Sequence, residues 1–294
     1  MLSKYSIKDL ERISGIKAHT LRIWEQRYEI LHPERTGTNI RYYTSSDLKR
    51  ILNISLLNTN GIKISNIAKL NNDQLIKEVD RFLNGNIKES DQVENLVLCL
   101  MDLDENRFEK TIINSVEKFG FENTIEKIVF PFLRHMGNMW QLGVISPAQE
   151  HYISNLIRQK IIAGINDLMP VLNKSPKKYI FFLPQLEMHE LGLLYAHYLT
   201  KLRGHTCFYL GQCVPIEDLA GISKSVKADF IVSILTAKVP GMGINSFLNS
   251  CNENVPGPVF LLSGRLLLAM NEKYKIPSKR FKVFENFEAY KEFA

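Results

Sequence analysis

Beyond residue 176 short apolar runs alternate with stretches of helical periodicity, and few folds accommodate that rhythm. Tyr179–Leu183, Thr206–Leu210, Asp229–Leu235, Val259–Ser263 and Phe281–Phe284 read as strands, with helical Glu190–Arg203, Glu217–Val226 and Gly243–Asn252 among them. Such alternation predicts a parallel, doubly wound α/β sheet. Sheets of this kind bind ligands at the carboxyl ends of their strands. Those ends carry Glu187 and His189, Gly211–Pro215, Ser233–Thr236 and Ser263-Gly264. The loop after the first strand reads Glu187-x-His189-x-x-Gly192. An acid close to a histidine can fix its tautomer and raise its basicity, as carboxylates behind metal-bound histidines do. A solvated loop histidine is the plain alternative.

The region before the sheet, about 76 to 172, is rich in helical patterns and poor in strands. Apolar periodicity marks Leu75–Leu83, Val93–Leu103, Asn106–Lys118, Asn123–Met139 and Pro147–Leu172, with breaks at Gly85-Asn86, Asp104-Glu105, Gly120 and Gly143. This predicts a bundle of four or five helices. Ser146, Pro147 and Gln149 form a capping box with proline at the first helical position. Glu150 and His151 then lie in the first turns of the last helix, shortly after Trp140. Trp140 and the Glu-His pair could roof a flat ligand; equally, Trp140 could be core and the pair a solvated face.

Residues 1–75 hold twelve Lys and Arg against seven Asp and Glu, a net +5 of the whole chain's +6. So uneven a charge points to an anionic partner. A short helix over Ser6–Ser14, capped by Ser6, closes at Gly15, and a second runs from about Ala18 to Tyr28, which together make a helix-turn-helix. Leu21 and Trp24 face inward, leaving Lys17, His19, Thr20, Arg22 and Arg27 for the major groove of double-stranded DNA. Pro33–Thr44 reads as a β-wing whose Arg35, Arg41 and Tyr42 or Tyr43 touch phosphates. Ser45 or Ser46 caps a helix through about Asn58, and Ile64–Leu70 forms a shorter one.

No apolar run is long enough to span a membrane, Arg265 interrupting the greasiest stretch, Val259–Met270. The N-terminus lacks the apolar core of a signal peptide. Cys99, Cys207, Cys213 and Cys251 show no metal spacing and fit buried free thiols, so a cytoplasmic setting is expected. No nucleophile–base set asks for catalysis, and an enzyme is not expected.

Thr20-Leu-Arg-Ile-Trp-Glu-Gln-Arg-Tyr28, the Arg41-Tyr-Tyr wing and Asp47-Leu-Lys-Arg-Ile resemble the MerR family of winged-helix regulators, which bind operator DNA as dimers or higher oligomers. The sheet region resembles the Rossmann-like cobalamin-binding fold of methionine synthase, through Glu187-x-His189-x-x-Gly192, Arg203-Gly-His205, Leu210–Pro215, Ser233-Ile-Leu235 and Ser263-Gly264. That resemblance implies His189 as the lower cobalt ligand, Glu187 as its orienting acid and Gly192 as a close-packing position. Ser233, Leu235, Ser263 and Gly264 would line the pocket for the nucleotide tail. Two positions depart: Glu187 stands for the usual Asp, and Ser263 for the first glycine of a pair, where a hydroxyl could crowd the tail.

In series the three parts resemble the CarH/LitR group of cobalamin-dependent, light-responsive repressors, which carries Trp, nine residues, then Glu-His; Trp140 and Glu150-His151 reproduce that spacing. The likeness implies that Trp140 and Glu150 contact the adenosyl group of adenosylcobalamin, and that His151 takes the upper cobalt position after photolysis. It implies a homo-oligomer, dimer or tetramer, that releases operator DNA when it comes apart. The expected architecture is multidomain: a winged helix-turn-helix at 1–75, a four-helix bundle at 76–175 and the sheet at 176–294. Alternative readings are a regulator that binds cobalamin without a photoresponse, one that binds another tetrapyrrole, and one whose sheet is a ligand-free interaction module. A methyl-carrying corrinoid enzyme would leave the basic head unemployed.

Overall fold

The computed structural model describes residues 4–85, 88–237, 243–268 and 274–294. Asn86 of the expected Gly85-Asn86 break, and Met270 at the end of the greasy stretch, lie outside them. The chain divides into two compact units, Met1–Ile153 and Ser154–Ala294.

The first unit opens with α1 (Ile7–Ser14) and α2 (Ala18–Tyr28). Ser6 and Asp9 cap α1 reciprocally, and Gly15, at φ 73°, ends it in the left-handed conformation that glycine adopts without steric cost. A two-stranded wing follows, β1 (Glu34–Arg35) antiparallel to β2 (Arg41–Tyr42), extended by a bridge between Tyr5 and Tyr43. Helix α3 (Ser45–Thr59) is capped by Thr44 with Asp47, not by Ser45 or Ser46, because the Thr44–Asp47 pair completes the reciprocal box. The expected Ile64–Leu70 helix is only the turn α4 (Ile64–Ile67).

The bundle comprises α5 (Asn72–Gly85), α6 (Glu89–Asp102), α7 (Glu105–Phe119), α8 (Phe121–Thr124) and α9 (Phe130–Gln141). Between α8 and α9 lies a π-helical turn, Ile125–Val129, where one continuous helix was expected. Phe130 N–H reaches back five residues to Ile125, and Pro131 next to it has no N–H to give. Leu96, Leu100, Phe108, Ile128 and Phe132 fill the core. The head is tied to the bundle: the Tyr5 hydroxyl donates to Val144 O at 3.3 Å, and His135 bonds the Ile13 backbone. Helix α10 (Pro147–Asn166) starts at the expected capping box, with Gln149 N–H on Ser146 Oγ at 3.3 Å and Gln149 Oε1 on Ser146 N–H at 3.0 Å.

In the second unit, β3 (Lys178–Phe182), α11 (Leu191–Leu202), β4 (Thr206–Gly211), α12 (Ile216–Val226), β5 (Phe230–Ile234), α13 (Ile244–Asn254) and β6 (Val259–Ser263) alternate as expected. The turn α14 (Arg265–Leu268), β7 (Phe281–Val283) and α15 (Phe287–Lys291) complete it. The five strands pair in parallel in the order β4-β3-β5-β6-β7. Connections depart to one side from β3 to β4 and to the other from β5 onward, so the switch point, where such sheets open a crevice, falls between β3 and β5. Among the described residues no helix is long and apolar enough to cross a membrane. Of the cysteines, Cys99 and Cys251 are buried and Cys207 half-buried, but Cys213 is exposed because it lies in the loop after β4.

Candidate functional site

The switch point is occupied by the loop that leaves β3. Glu187 is fully buried there, and four N–H groups meet its carboxylate. Oε1 accepts from the His189 backbone at 2.9 Å and lies 2.6 Å from His189 Nδ1. Oε2 accepts from the amides of Thr236 and Ala237, just past β5, at 2.7 and 3.0 Å. Burial alone would raise the Glu187 pKa, yet the hydrogen bonds from His189, Ala237 and Thr236 bring it below its ordinary value. An ionised carboxylate only accepts, so Nδ1 is the protonated nitrogen and the lone pair of a neutral ring lies on Nε2. The His189 side chain is 58% exposed. A metal-ligating imidazole needs one nitrogen anchored in this way.

Sequence reasoning overlooked the other fastenings of this loop. Gln212 Nε2 donates to Met188 O at 2.6 Å. Glu190, 9% exposed, accepts from Arg158 Nε through one oxygen and from the Tyr209 hydroxyl, at 3.0 Å, through the other. An acid next to a loop histidine is a weak signal; nothing local announces partners on α10 and β4.

The residues expected to line a tail pocket sit at the neighbouring strand ends. Ser233 is fully buried on β5, and its hydroxyl has no hydrogen-bond partner. Leu235 is buried beside it. Gly264, at φ 109°, comes so near that a Cβ would fall 2.2 Å from Leu235 O. Ser263 does not crowd this space: its hydroxyl donates to Phe284 O at 2.6 Å and is buried. A Cβ on Gly192 would lie 3.3 Å from Ile234 Cδ1, so α11 packs closely on β5 there.

Trp140, Glu150 and His151 belong to the first unit. Trp140, at the end of α9, is 52% exposed, which removes the core reading. His151 Nδ1 lies 2.6 Å from Glu150 Oε2, with side chains 73% and 29% exposed.

On the head, His19, Arg22 and Arg27 are exposed on α2 and Thr20 is half-buried. Lys17 is exposed and pairs with Glu11 at 3.3 Å. On the wing, Arg35 donates to Asn39 Oδ1 at 2.6 Å, Arg41 is 3.6 Å from Glu25, and the Tyr42 hydroxyl bonds Glu34 under Lys4. Tyr43 must be withdrawn as a phosphate contact: its ring is 1% exposed and its hydroxyl donates to Glu25 at 2.8 Å, which makes it core.

A family model described as the MerR HTH family regulatory protein matches residues 5–74, and one described as a B12 binding domain matches residues 92–163. The HTH-type transcriptional repressor CarH of Myxococcus xanthus is 26% identical over 234 residues, 77% of each chain. The repressor CarA of the same organism is 25% identical over 257 residues, 86% of this chain and 84% of the relative. The solved Methanosarcina barkeri monomethylamine corrinoid protein aligns with a TM-score of 0.53 at 15% identity, covering 66% of this chain and 93% of that one, a likeness of fold alone.

Proposed function

From a chain that belongs to the MerR family of helix-turn-helix regulators, carries a B12-binding domain and is homologous to the repressors CarH and CarA, we propose a transcriptional repressor governed by adenosylcobalamin and light. The observation that carries the ligand assignment is the buried Glu187 holding His189 at the switch point. His189 would hold the cobalt, and Glu187 fixes its tautomer and ring direction. A second observation supports the tail: the buried Ser233 hydroxyl lacks a partner, which costs about 1–3 kcal/mol unless something bonds to it. With Leu235 and Gly264 beside it, and Ser263 turned to Phe284, the strand ends suit a buried nucleotide tail.

When bound, adenosylcobalamin supplies a light-labile cobalt–carbon bond. Trp140 and Glu150 would contact its adenosyl group, and His151, oriented by Glu150, would be at hand to bind the cobalt. The head docks α2 in the major groove, with His19, Thr20, Arg22 and Arg27 toward the bases and Lys17, Arg35, Arg41 and Tyr42 toward phosphates. We take the subdivision at residues 75 and 175, a dimer or tetramer, and cytoplasmic action as parts of the same proposal. Several heads bound together gain avidity, so an oligomer that comes apart lets DNA go. We assign no enzymatic activity.

The test is an absorption spectrum of the full chain mixed with adenosylcobalamin in the dark, desalted, then lit with green light. Retained cobalamin whose spectrum changes on illumination, with operator DNA released in a mobility-shift assay, is the expected result. Cobalamin that washes off overturns the ligand, and a bound form indifferent to light overturns the photoresponse.

A further inference from the structure

The loop that presents His189 is held at both of its shoulders, and only one shoulder is accounted for by Glu187. Leu186, just before the acid, has φ 69°, a left-handed conformation that a leucine keeps only when its surroundings impose it. On the far side Glu190 is the residue at which loop becomes helix: its carbonyl accepts the Leu194 N–H at 2.9 Å as α11 begins, and its own N–H donates to Met188 O at 3.0 Å. Its carboxylate is turned inward to Arg158 on α10 and Tyr209 on β4. Burial first, then the neighbouring Glu190, push the Tyr209 phenol well above its ordinary pKa, so it stays a donor. The Tyr209 ring is itself fixed by stacking on His197, with centroids 5.2 Å apart.

A carboxylate this buried is a poor device for stability, since apolar side chains of similar volume usually serve as well or better. What it supplies is direction: two bonds, one per oxygen, from two elements that flank the loop. We propose that Glu190, clamped by Arg158 and Tyr209, is a positioning residue that aims His189 at the metal, a role separate from the tautomer control exercised by Glu187. The proposal rests on the reading of His189 as the lower cobalt ligand. Glu187 sets which nitrogen is presented; Glu190 sets where the presented nitrogen stands relative to the sheet. Without the clamp the Glu187–His189 pair still forms and Gln212 still holds Met188 O, but the shoulder where the loop enters α11 loses its side-chain anchor. Histidine ligation then competes less well with the ligand-off form.

The test uses the full chain loaded with adenosylcobalamin in the dark, comparing wild type with Arg158→Met, Glu190→Gln and Tyr209→Phe. Two quantities are read: the share of histidine-ligated cobalamin from the absorption spectrum, and the half-time of cobalamin release after dilution. Glu190→Gln and Arg158→Met should show a ligand-off component and release about tenfold faster, in line with the loss of a group supporting a metal ligand, and Tyr209→Phe should shift both in the same direction by less. Arg158→Lys, which keeps the charge and the aliphatic stem, should recover part of the ligated form. If Arg158→Met fails to fold, Arg158→Lys and Tyr209→Phe decide by the same readouts. Folded variants with wild-type spectra and release rates overturn the proposal. Wild-type protein that binds no cobalamin, or a His189→Ala variant with an unchanged spectrum, overturns instead the ligand assignment beneath it.

Discussion

Two Glu–His pairs in this chain share one contact and differ in everything around it. In both, histidine Nδ1 lies 2.6 Å from a glutamate oxygen. Glu187 is wholly buried and receives the backbone amides of His189, Thr236 and Ala237 as well, whereas the Glu150 side chain is 29% exposed in the first turn of a helix. A carboxylate fastened by backbone from two strand ends cannot follow its histidine anywhere. The Glu150–His151 pair stands on a half-exposed helical turn, and pairs near the surface contribute about 0–1 kcal/mol. The first arrangement fixes the direction of a ring, and the second leaves the ring more exposed to solvent.

The largest effect should separate the two histidines. His189→Ala is expected to abolish retention of adenosylcobalamin on desalting. His151→Ala should retain it in the dark and change only the spectrum of the illuminated product. Equal losses in the two variants would break the comparison. The acids sharpen it: Glu187→Gln should weaken binding by about 10–100-fold, the usual cost of losing the partner behind a metal-ligating histidine. Glu150→Gln should cost less than Glu187→Gln in the dark, severalfold at most by equilibrium titration, since it removes one adenosyl contact and a half-exposed pair.

The same contrast explains how much of this molecule could be read from its residues. Strands β3, β5 and β6 were legible because a strand buried on both faces is continuously apolar, and α1 because Ser6, Asp9 and Gly15 each serve a terminus. The Glu187–His189 contact was legible because both partners lie within three residues. Glu190 was not, since Arg158 and Tyr209 come from 32 and 19 residues away and nothing local announces them. In the wing, Tyr42 and Tyr43 are adjacent aromatics on one short strand, and only the pairing with Tyr5 decides which faces in. The π turn before α9 and the turn of Ser263 toward Phe284 likewise depend on geometry that no periodicity records.

Gly264 tests whether the fixed half of the comparison is rigid at the level of backbone. A methyl group there would meet Leu235 O at 2.2 Å, and φ 109° disfavours any side chain. Gly264→Ala should lower stability by about 1–3 kcal/mol, through strain and overpacking, and loosen cobalamin retention with it. Thermal melts of the cobalamin-free protein isolate the first effect. An unchanged melting temperature would mean that the strand ends yield, and that the backbone around Gly264 is not rigid.

A third acid, Glu94 on α6, supplies the smallest and most telling comparison. Unlike Glu187 it is only half-buried, but its Oε2 is enclosed without a hydrogen-bond partner, where Glu187 Oε2 has two amides. Burial, and then the charge of Asp91, push the Glu94 pKa up from 4.5 to about 7. The folded chain therefore holds this proton more tightly than the unfolded chain. Its contribution is fully present below about pH 4.5 and is lost as pH rises through about 7. The depressed pKa of Glu187 works the other way, giving stability above the ordinary carboxylate range that is lost only as pH falls below it, so the two windows do not overlap. Melts of the cobalamin-free protein between pH 5 and 8 should show a decline that Glu94→Gln removes in part, by on the order of 1 kcal/mol or roughly 2–4 °C. A wild-type decline that Glu94→Gln leaves untouched would assign that decline to other groups.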